Sequence, residues 1–393
     1  MTNEAEALRA VLERVMPLPA ISATLIDSLG RFSVDDLFAT RPLPAFDNSA
    51  MDGYAVQAAS CRIGARLPVI GEQPAGPDRS LTIKEGEASR IFTGAPLPSG
   101  ADAVIMQEDV RREGDIIRPQ CDAEIGEFIR RRGSDLAEGQ KILSRGEPIA
   151  AATIGLLASQ GMKEVRVGEA PRIAIVSTGD ELARPGETPA PGQIFESNGA
   201  LLHALAVGAG ARVTFVEYAP DQLEQLTEIF RRGLHADALL ISGGVSVGDH
   251  DLVKPALRAL GAEIDLWQVA IKPGKPFLFG RAGRCHVFGL PGNPVSAFVT
   301  FLKFVRPALR KMAGAGADHL ALREVRARLV SEISNCGDRP HYFRGALCAG
   351  VFTLSGRQES HALFGLSRAN ALLRVDPAVT LPKDASVTVE LWS

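Results

Sequence analysis

The sequence of 393 residues lacks features that would each point to a particular class of protein. Its five cysteines are odd in number, scattered and free of any Cys-x-x-Cys pair, which argues against a disulfide framework and a zinc site. No apolar run approaches the roughly 18 residues that a transmembrane helix needs. The acidic start of the chain is also unlike a secretion signal. We therefore expect a cytoplasmic protein with reduced thiols.

An excess of positive charge is also missing. Lys and Arg number 43 against 46 Asp and Glu, for a net charge of -3, which is opposite to the balance of a nucleic-acid-binding protein. Any basic site must therefore be local, and we expect neither nucleic acid nor a membrane as a partner. The length predicts two to four domains at about 100 to 200 residues each.

What the chain does contain is a succession of distinct patterns. Residues 3–15 repeat apolar side chains at helical spacing behind Asn3 as a cap. Short β-type runs separated by Gly and Pro turns fill residues 45–139. A predicted helix at 150–159 and a strand at 165–167 follow. These elements are expected to rejoin the N-terminal helices, which makes the β-rich segment an insertion.

Predicted strands and helices alternate after residue 171. The strands are 173–176, 213–217, 238–241 and 264–269, and the helices begin after Asn198, at Asp221, at Leu252 and after Pro294. Asp221 and Glu224 have the spacing of a capping box. Such alternation predicts a mostly parallel sheet wrapped by helices, with ligands at the carboxyl ends of its strands. Further β-type runs at 325–330, 347–354 and 387–391 predict a small C-terminal β domain.

The predicted fold class is therefore multidomain α/β. The expected domains are a helical N-terminal linker domain (1–44 plus 140–168), an inserted β-rich domain (45–139), a mostly parallel α/β domain (169–317) and a small C-terminal β domain (318–393).

Two glycine-rich loops follow predicted buried strands and lead into helices. In residues 242–251, glycines would let backbone N–H groups turn toward a phosphate at a helix N-terminus. In residues 289–296, Asn293 would cap the helix and Pro294 would be its first residue. Each loop taken alone is better explained as an ordinary strand-to-helix turn, because such loops are common. Two such loops at the ends of consecutive strands favour one ligand-binding site at that edge of the sheet.

Charged side chains lie near these loops in the sequence. Between them, Lys272 and Lys275 stand in a proline-stiffened loop, which suits a phosphate or another oxyanion. Asp180 and Glu181 follow the first strand of the α/β segment and are expected near Asp251. These carboxylates would hold Mg²⁺ together with ligand phosphates, or they would only complement helix N-termini. The sequence leaves both interpretations open.

The β-rich segment has three loops in which acids, hydroxyls and arginines stand beside glycines. They are residues 44–56, 92–98 and 130–135. Turn formers and arginine runs are typical of surface loops, but their number within one domain favours a role in binding.

Four of these blocks occur in the order found in one family. They are Met51-Asp52-Gly53-Tyr54, Ser242-Gly243-Gly244-Val245-Ser246, Lys272-Pro273-Gly274-Lys275-Pro276 and Gly289-Leu290-Pro291-Gly292-Asn293-Pro294. Over nearly its whole length, the chain resembles the MoeA family of molybdopterin molybdenumtransferases, which includes the E domain of gephyrin.

The resemblance implies four domains: the β-rich domain inserted into the N-terminal one, a molybdopterin-binding α/β domain and a C-terminal domain like a β-barrel. It also implies a homodimer whose cleft pairs the β-rich domain of one protomer with the α/β domain of the other. The implied reaction binds adenylylated molybdopterin, hydrolyses the adenylate with Mg²⁺, inserts molybdate into the dithiolene and releases AMP. Other cofactor-assembly proteins and apo-molybdoenzymes are the implied partners.

The resemblance assigns roles residue by residue. The residues with an implied catalytic role carry acid or hydroxyl groups: Asp52, Thr93, Asp135, Glu181 and Asp251. Those implied to hold the metal are Asp52, Glu181 and Asp251. The implied substrate-binding positions are cationic side chains and loop residues: Arg130, Asp221, Ser242, Gly243, Gly244, Ser246, Lys272, Lys275, Pro291, Gly292, Asn293, Pro294, Arg344 and Ser360.

The chain departs from some relatives at Gln268, where they have lysine, so no cationic role is assigned there. Two rival functions remain. The first is a molybdopterin adenylyltransferase or a related pterin or nucleotide phosphate hydrolase, because a fold alone does not fix the reaction. The second is a non-catalytic scaffold with a peptide groove in the C-terminal domain. The inserted β-rich domain with Asp52 favours the transferase.

Overall fold

The computed structural model describes residues 1–245 and 252–392. The chain divides into two compact units, the first formed by Met1–Asp35 with Ser144–Ser393 and the second by Asp36–Leu143. The four predicted domain boundaries stay a prediction, because this division is coarser than they are. Among the described residues, no helix is both long enough and apolar enough to cross a bilayer.

The first unit begins with helix α1 (Glu4–Arg14), which the apolar spacing of the sequence predicts. Asn3 caps the helix as expected, since its side chain accepts a 2.9 Å hydrogen bond from the Glu6 N–H. Ala7 and Val11 are fully buried, so this face of the helix packs into the core. Strand β1 (Ala20–Thr24) follows.

The second unit is built from short strands, as the β-type runs predict. They are β2 (Leu37–Phe38), β3 (Asn48–Ser49), β4 (Gly53–Val56), β5 (Leu67–Gln73), β6 (Ala88–Ile91), β7 (Ala103–Met106), β8 (Val110–Glu113), β9 (Ile116–Pro119), β10 (Ile129–Arg130) and β11 (Lys141–Leu143). Six of them form one sheet in the order β7-β4-β6-β5-β9-β8, in which β5 and β6 are parallel and the other neighbours antiparallel. Tyr54, Ile105 and Ile117 are among the buried side chains of its core.

The first unit resumes with helix α2 (Ala151–Ser159) and strand β12 (Glu164–Gly168). β12 pairs antiparallel with β1, with Ala20 opposite Gly168. The segments on either side of the second unit are therefore joined by a pair of strands, whereas the sequence predicted that they meet through helices.

Strands and helices alternate in the following segment. They are β13 (Arg172–Thr178), β14 (Leu182–Ala183), β15 (Ile194–Phe195), α3 (Asn198–Gly208), β16 (Arg212–Ala219), α4 (Leu223–Gly233), β17 (Ala238–Ser242), α5 (Val253–Ala259), β18 (Glu263–Trp267), β19 (Leu278–Ala282), β20 (Cys285–Leu290), α6 (Pro294–Thr300) and α7 (Arg306–Met312). The main sheet has the order β16-β13-β17-β20-β19-β18. Its first four strands are parallel, and only β19 runs antiparallel to its neighbours β20 and β18, which confirms the mostly parallel sheet.

Both faces of this sheet are buried, because successive side chains along a strand point to opposite faces. Ile173 and Ile175 of β13 belong to a core that contains residues of α3, α6 and α7. Ala174 and Val176 belong to a second core that contains residues of α4 and α5. The sheet is thus the middle layer between two layers of helices.

The long helix predicted after Pro294 is confirmed, since α6, a π-helical segment (Phe301–Val305) and α7 follow one another without a gap. Pro307 has no N–H to donate to the carbonyl four residues earlier, so the regular helical ladder is broken before it. The predicted capping box at Asp221 is wrong, since α4 begins at Leu223 and the Asp221 carboxylate accepts from the Thr178 hydroxyl instead.

The C-terminal part of the first unit is a small β-barrel, as predicted. After a short 3₁₀ helix (Ala317–His319), its elements are β21 (Arg323–Leu329), β22 (Ile333–Asn335), β23 (His341–Cys348), β24 (Val351–Leu354), α8 (Leu363–Ser367), β25 (Ala371–Val375), β26 (Val379–Leu381) and β27 (Ser386–Leu391). The barrel closes in the order β21-β24-β23-β25-β27. The predicted single strand 347–354 is wrong, because Ala349 and Gly350 take left-handed backbone angles and turn the chain between β23 and β24.

Candidate functional site

Three loops of the first unit meet at one edge of the main sheet. They follow β13, β17 and β20, which are parallel neighbours, so Ser177 lies opposite Ser242 and Ser242 opposite Leu290. The loops line a cavity of about 630 Å³, which we call the glycine-loop cavity. Its lining includes these site residues predicted from the sequence: Glu181, Asp221, Ser242, Gly243, Gly244, Pro291, Gly292, Asn293 and Pro294.

The glycines of the loop after β17 are required by close packing. Gly243 has a φ of +95°, and a Cβ added there would lie 2.3 Å from the Thr178 carbonyl oxygen. Gly244 has a φ of +58°, and its added Cβ would lie 2.6 Å from the Val253 side chain. Both positions therefore exclude other residues on backbone and steric grounds. Two further predicted residues of this loop, Ser246 and Asp251, lie outside the described residues.

Asn198, at the start of α3, joins two of the loops, a role that was not predicted from the sequence. Its Nδ2 donates to the Ser242 hydroxyl at 2.8 Å and to the Gly292 carbonyl at 2.7 Å. Among the described residues, its enclosed Oδ1 has no partner. A polar side chain at the start of an otherwise apolar helix is the signal that would have found it, because buried amides need partners.

Carboxylates concentrate on one side of the glycine-loop cavity. Glu196 accepts from the Ser177 hydroxyl at 2.8 Å, and Asp221 accepts from the Thr178 hydroxyl. Glu181 is exposed and also lines the cavity. Burial raises the pKa of the nearby Tyr218, and the charges of Asp180, Asp221 and Glu181 raise it further. The field at this wall is therefore negative.

A second cavity, of about 460 Å³, adjoins the first and shares Pro276 and Ser296 with it. We call it the lysine cavity, because Lys272 and Lys275 line it together with Ser360. Arg339 and His341 from the barrel, which were not singled out in the sequence, line it as well, as does Glu359. Basic side chains outnumber acidic ones, so this cavity favours an anion.

The backbone holds the lysine cavity in place. The Lys272 N–H donates to the Pro340 carbonyl and the Tyr342 N–H donates to the Lys272 carbonyl, both at 2.8 Å. Gly274 has a φ of +121°, and an added Cβ would lie 2.6 Å from the Thr300 side chain. Gln268, to which no cationic role was assigned, has a left-handed φ of +78°.

Arg344 does not line either cavity, although the resemblance implies a place in the cleft. It is fully buried, and its Nη2 donates to the carbonyls of Arg357 at 2.7 Å and Glu359 at 3.2 Å. Burial lowers its pKa. The Arg344 side chain therefore braces the loop that carries Ser360, whose carbonyl accepts from the Val295 N–H at 3.1 Å.

In the second unit, Asp52 and Thr93 form a hydrogen-bonded pair. β4 and β6 are antiparallel, with Gly53 opposite Ile91. Asp52, just before β4, and Thr93, just after β6, therefore lie close together. The N–H and the hydroxyl of Thr93 both donate to Asp52 Oδ1 at 2.8 Å. These bonds, the backbone one first, lower the pKa of Asp52, so its carboxylate stays ionised.

The other predicted residues of the second unit are surface residues. Arg130, on β10, is exposed and stands opposite Asn48 of β3. Asp135 is exposed, and its N–H donates to the Leu43 carbonyl at 3.0 Å. Asp47 holds the same loop through the Arg131 side chain and the Arg132 N–H.

Comparison with known proteins places these features in one family. Three sequence families match in order: the MoeA N-terminal region (domain I and II) at residues 2–161, a probable molybdopterin binding domain at 174–311 and the MoeA C-terminal region (domain IV) at 326–392. Molybdopterin molybdenumtransferase 2 of Mycobacterium tuberculosis is 36% identical over 405 residues, which cover 100% of this chain and 99% of the relative.

The chain belongs to the MoeA family.

Other MoeA relatives agree in sequence and structure. The molybdopterin molybdenumtransferase of Nostoc sp. is 36% identical over 357 residues, 87% of this chain and 82% of the relative. A crystal structure of the molybdopterin biosynthesis MoeA protein from Pyrococcus horikoshii OT3 superposes with a TM-score of 0.86 at 28% identity and covers 100% of both chains. The predicted multidomain α/β fold class is confirmed.

Proposed function

We propose that this chain is a molybdopterin molybdenumtransferase, which converts adenylylated molybdopterin and molybdate into molybdenum cofactor and releases AMP. Relatives that match 100% and 87% of the chain are named molybdopterin molybdenumtransferases, which supports the transfer of molybdenum. The structural observation that carries the proposal is the pair of adjoining cavities of opposite charge, which share Pro276 and Ser296.

The lysine cavity suits molybdate, which is a small tetrahedral dianion. Lys272 and Lys275 supply positive charge, and the Ser360 hydroxyl supplies a donor. Arg344 acts through the loop that it braces rather than by contact. Because the two cavities share walls, molybdate bound here would lie beside a substrate held in the glycine-loop cavity.

The glycine-loop cavity suits a phosphate only together with a cation. Glu181, Glu196 and Asp221 line it, and its described lining residues include no lysine or arginine. Mg²⁺ binds through few carboxylates plus ligand phosphates. Among the described residues, no three side chains of His, Cys, Asp or Glu are grouped to hold a metal by themselves. In our proposal, the substrate phosphate supplies the remaining ligands.

We propose that Glu181 of the glycine-loop cavity binds Mg²⁺. The resemblance implies two further ligands, Asp251 and, from the β-rich domain of the second protomer, Asp52. Bound Mg²⁺ would supply charge neutralisation at the phosphoanhydride. Asp52 would orient the attacking water, and Thr93 would keep that carboxylate ionised. Arg130 and Asp135 are expected to contact the substrate. The homodimer, the cytoplasmic location and the apo-molybdoenzyme partners belong to the same proposal.

The test is a reaction of purified protein with adenylylated molybdopterin, molybdate and Mg²⁺. We expect release of AMP and activation of an apo-molybdoenzyme, and neither with Asp52→Ala or Asp251→Ala. Asp78→Ala, at an exposed site of the same β-rich unit, is the control and should remain active. The proposal fails if the wild type yields neither product.

Two other outcomes would identify the rival functions. Consumption of ATP with free molybdopterin would support an adenylyltransferase. Protein that folds and binds a peptide partner without turnover would support a scaffold.

A further inference from the structure

His341 is a residue of the lysine cavity to which the proposed reaction assigns no role. It begins strand β23, is 6% exposed and lines the cavity together with Lys272 and Lys275. Among the described residues, its enclosed Nε2 has no hydrogen-bond partner. Buried polar groups of this kind are rare in native proteins and call for a physical explanation.

The position of the His341 ring is fixed by its surroundings. His341 forms a bridge with Lys272, and the residues on both sides of His341 are hydrogen-bonded to the Lys272 backbone. The imidazole lies against the Phe343 ring at a centroid distance of 3.9 Å. The ring is therefore held beside the lysine that would attract an anion.

The ring is neutral near physiological pH. Burial first, and then the positive charges of Lys272, Arg344 and Arg339, lower the pKa of His341 to about 4. A proton on Nε2 would bury a donor without an acceptor. Nδ1 is not among the enclosed atoms without a partner, and His341 lines the lysine cavity, so we assign the proton of the neutral ring to Nδ1.

We propose that His341 binds the oxyanion substrate, molybdate in the proposed function on which this inference rests, by donating a hydrogen bond from its neutral imidazole. The lysines supply charge through flexible stems, whereas His341 supplies a donor at a fixed place and adds no charge. His341 would thus orient the anion that Lys272 and Lys275 attract.

The first measurement is calorimetric binding of molybdate to the full chain. His341→Phe keeps a flat ring against Phe343 but removes the donor, and we expect at least about tenfold weaker binding. His341→Gln keeps a neutral N–H donor and should stay within about threefold of wild type. In turnover, the Phe variant should raise KM for molybdate and leave kcat at saturating molybdate nearly unchanged.

His286→Phe is the matched control. His286 also stacks on a phenylalanine, Phe279, and its Nδ1 is also enclosed without a partner among the described residues. It lines a different cavity, so its replacement should leave molybdate binding unchanged. A loss of binding in both variants would indicate a general structural effect and would overturn the proposal.

A second measurement needs no variant. The ring ¹⁵N signals of His341 in the wild-type protein should shift when molybdate is added. Unshifted signals, or a Phe variant that binds molybdate like the wild type, would overturn the inference. Wild-type protein that binds molybdate through His341 but releases no AMP would contradict the proposed function and leave the inference intact.

Discussion

Gly243→Ala offers a sharp test of how the glycine-loop cavity is built. The substitution adds a Cβ at a position with a φ of +95°, 2.3 Å from the Thr178 carbonyl oxygen. Gly210→Ala is the matched control, because Gly210 has nearly the same φ, +88°, and nothing lies within 4 Å of its added Cβ. The pair separates backbone strain from steric contact.

The expected magnitudes follow from these two terms. The left-handed backbone costs an alanine about 1–2 kcal/mol at either position. The contact with a backbone oxygen costs Gly243→Ala about 1–3 kcal/mol more, because the loop must move. We therefore expect a free energy of unfolding lower by about 1–2 kcal/mol for the control and by about 2–5 kcal/mol for Gly243→Ala.

Urea unfolding measures the stability term and AMP release measures the functional one. Movement of the loop should reduce AMP release in Gly243→Ala, while Gly210→Ala keeps wild-type turnover at a temperature where both are folded. Equal losses of stability in the two variants, or full activity in Gly243→Ala, would refute the reasoning.

Three further predictions concern single side chains. Asn198→Ala removes the hydrogen bonds that join two loops, so urea unfolding should show a loss of about 2–4 kcal/mol and KM for the adenylylated substrate should rise. Asn370→Ala is the control: it removes two comparable hydrogen bonds within the barrel, to the Leu347 backbone. It should lose stability and leave KM for the adenylylated substrate unchanged. Thr93→Val removes one of the two bonds that lower the pKa of Asp52. The pKa of Asp52 should therefore rise. In a pH profile of kcat/KM, the acidic limb of the variant should lie at a higher pH than that of the wild type. Lys272→Ala should weaken molybdate binding, and the difference from wild type should shrink in high salt.

The meeting of the glycine-rich loops at one edge of the sheet was predictable because these motifs directly follow apolar runs. The loops that begin at Ser242 and Gly289 stand after strands that read as buried, and parallel strands place such loops at one edge. The cap at Asn3 was predictable for a similar reason, since it depends on residues adjacent in the sequence.

Long-range side-chain partners were not predictable from the sequence. Asn198 bonds to residues 44 and 94 positions away, and no local pattern encodes such pairing. The spacing of Asp221 and Glu224 is that of a helix cap, but the Asp221 carboxylate instead accepts a hydrogen bond from the Thr178 hydroxyl, 43 positions away. The resemblance implied that Arg344 lies in the substrate cleft, whereas the structure buries it against the backbone of a loop.

The most direct test of the central claim is a single turnover with limiting adenylylated molybdopterin, excess molybdate and Mg²⁺. Chromatography would measure AMP, and mass spectrometry would measure molybdenum bound to molybdopterin. The proposed transferase predicts that AMP and molybdenum-loaded cofactor appear together in equal amounts. AMP released without bound molybdenum would contradict the claim and indicate a hydrolase.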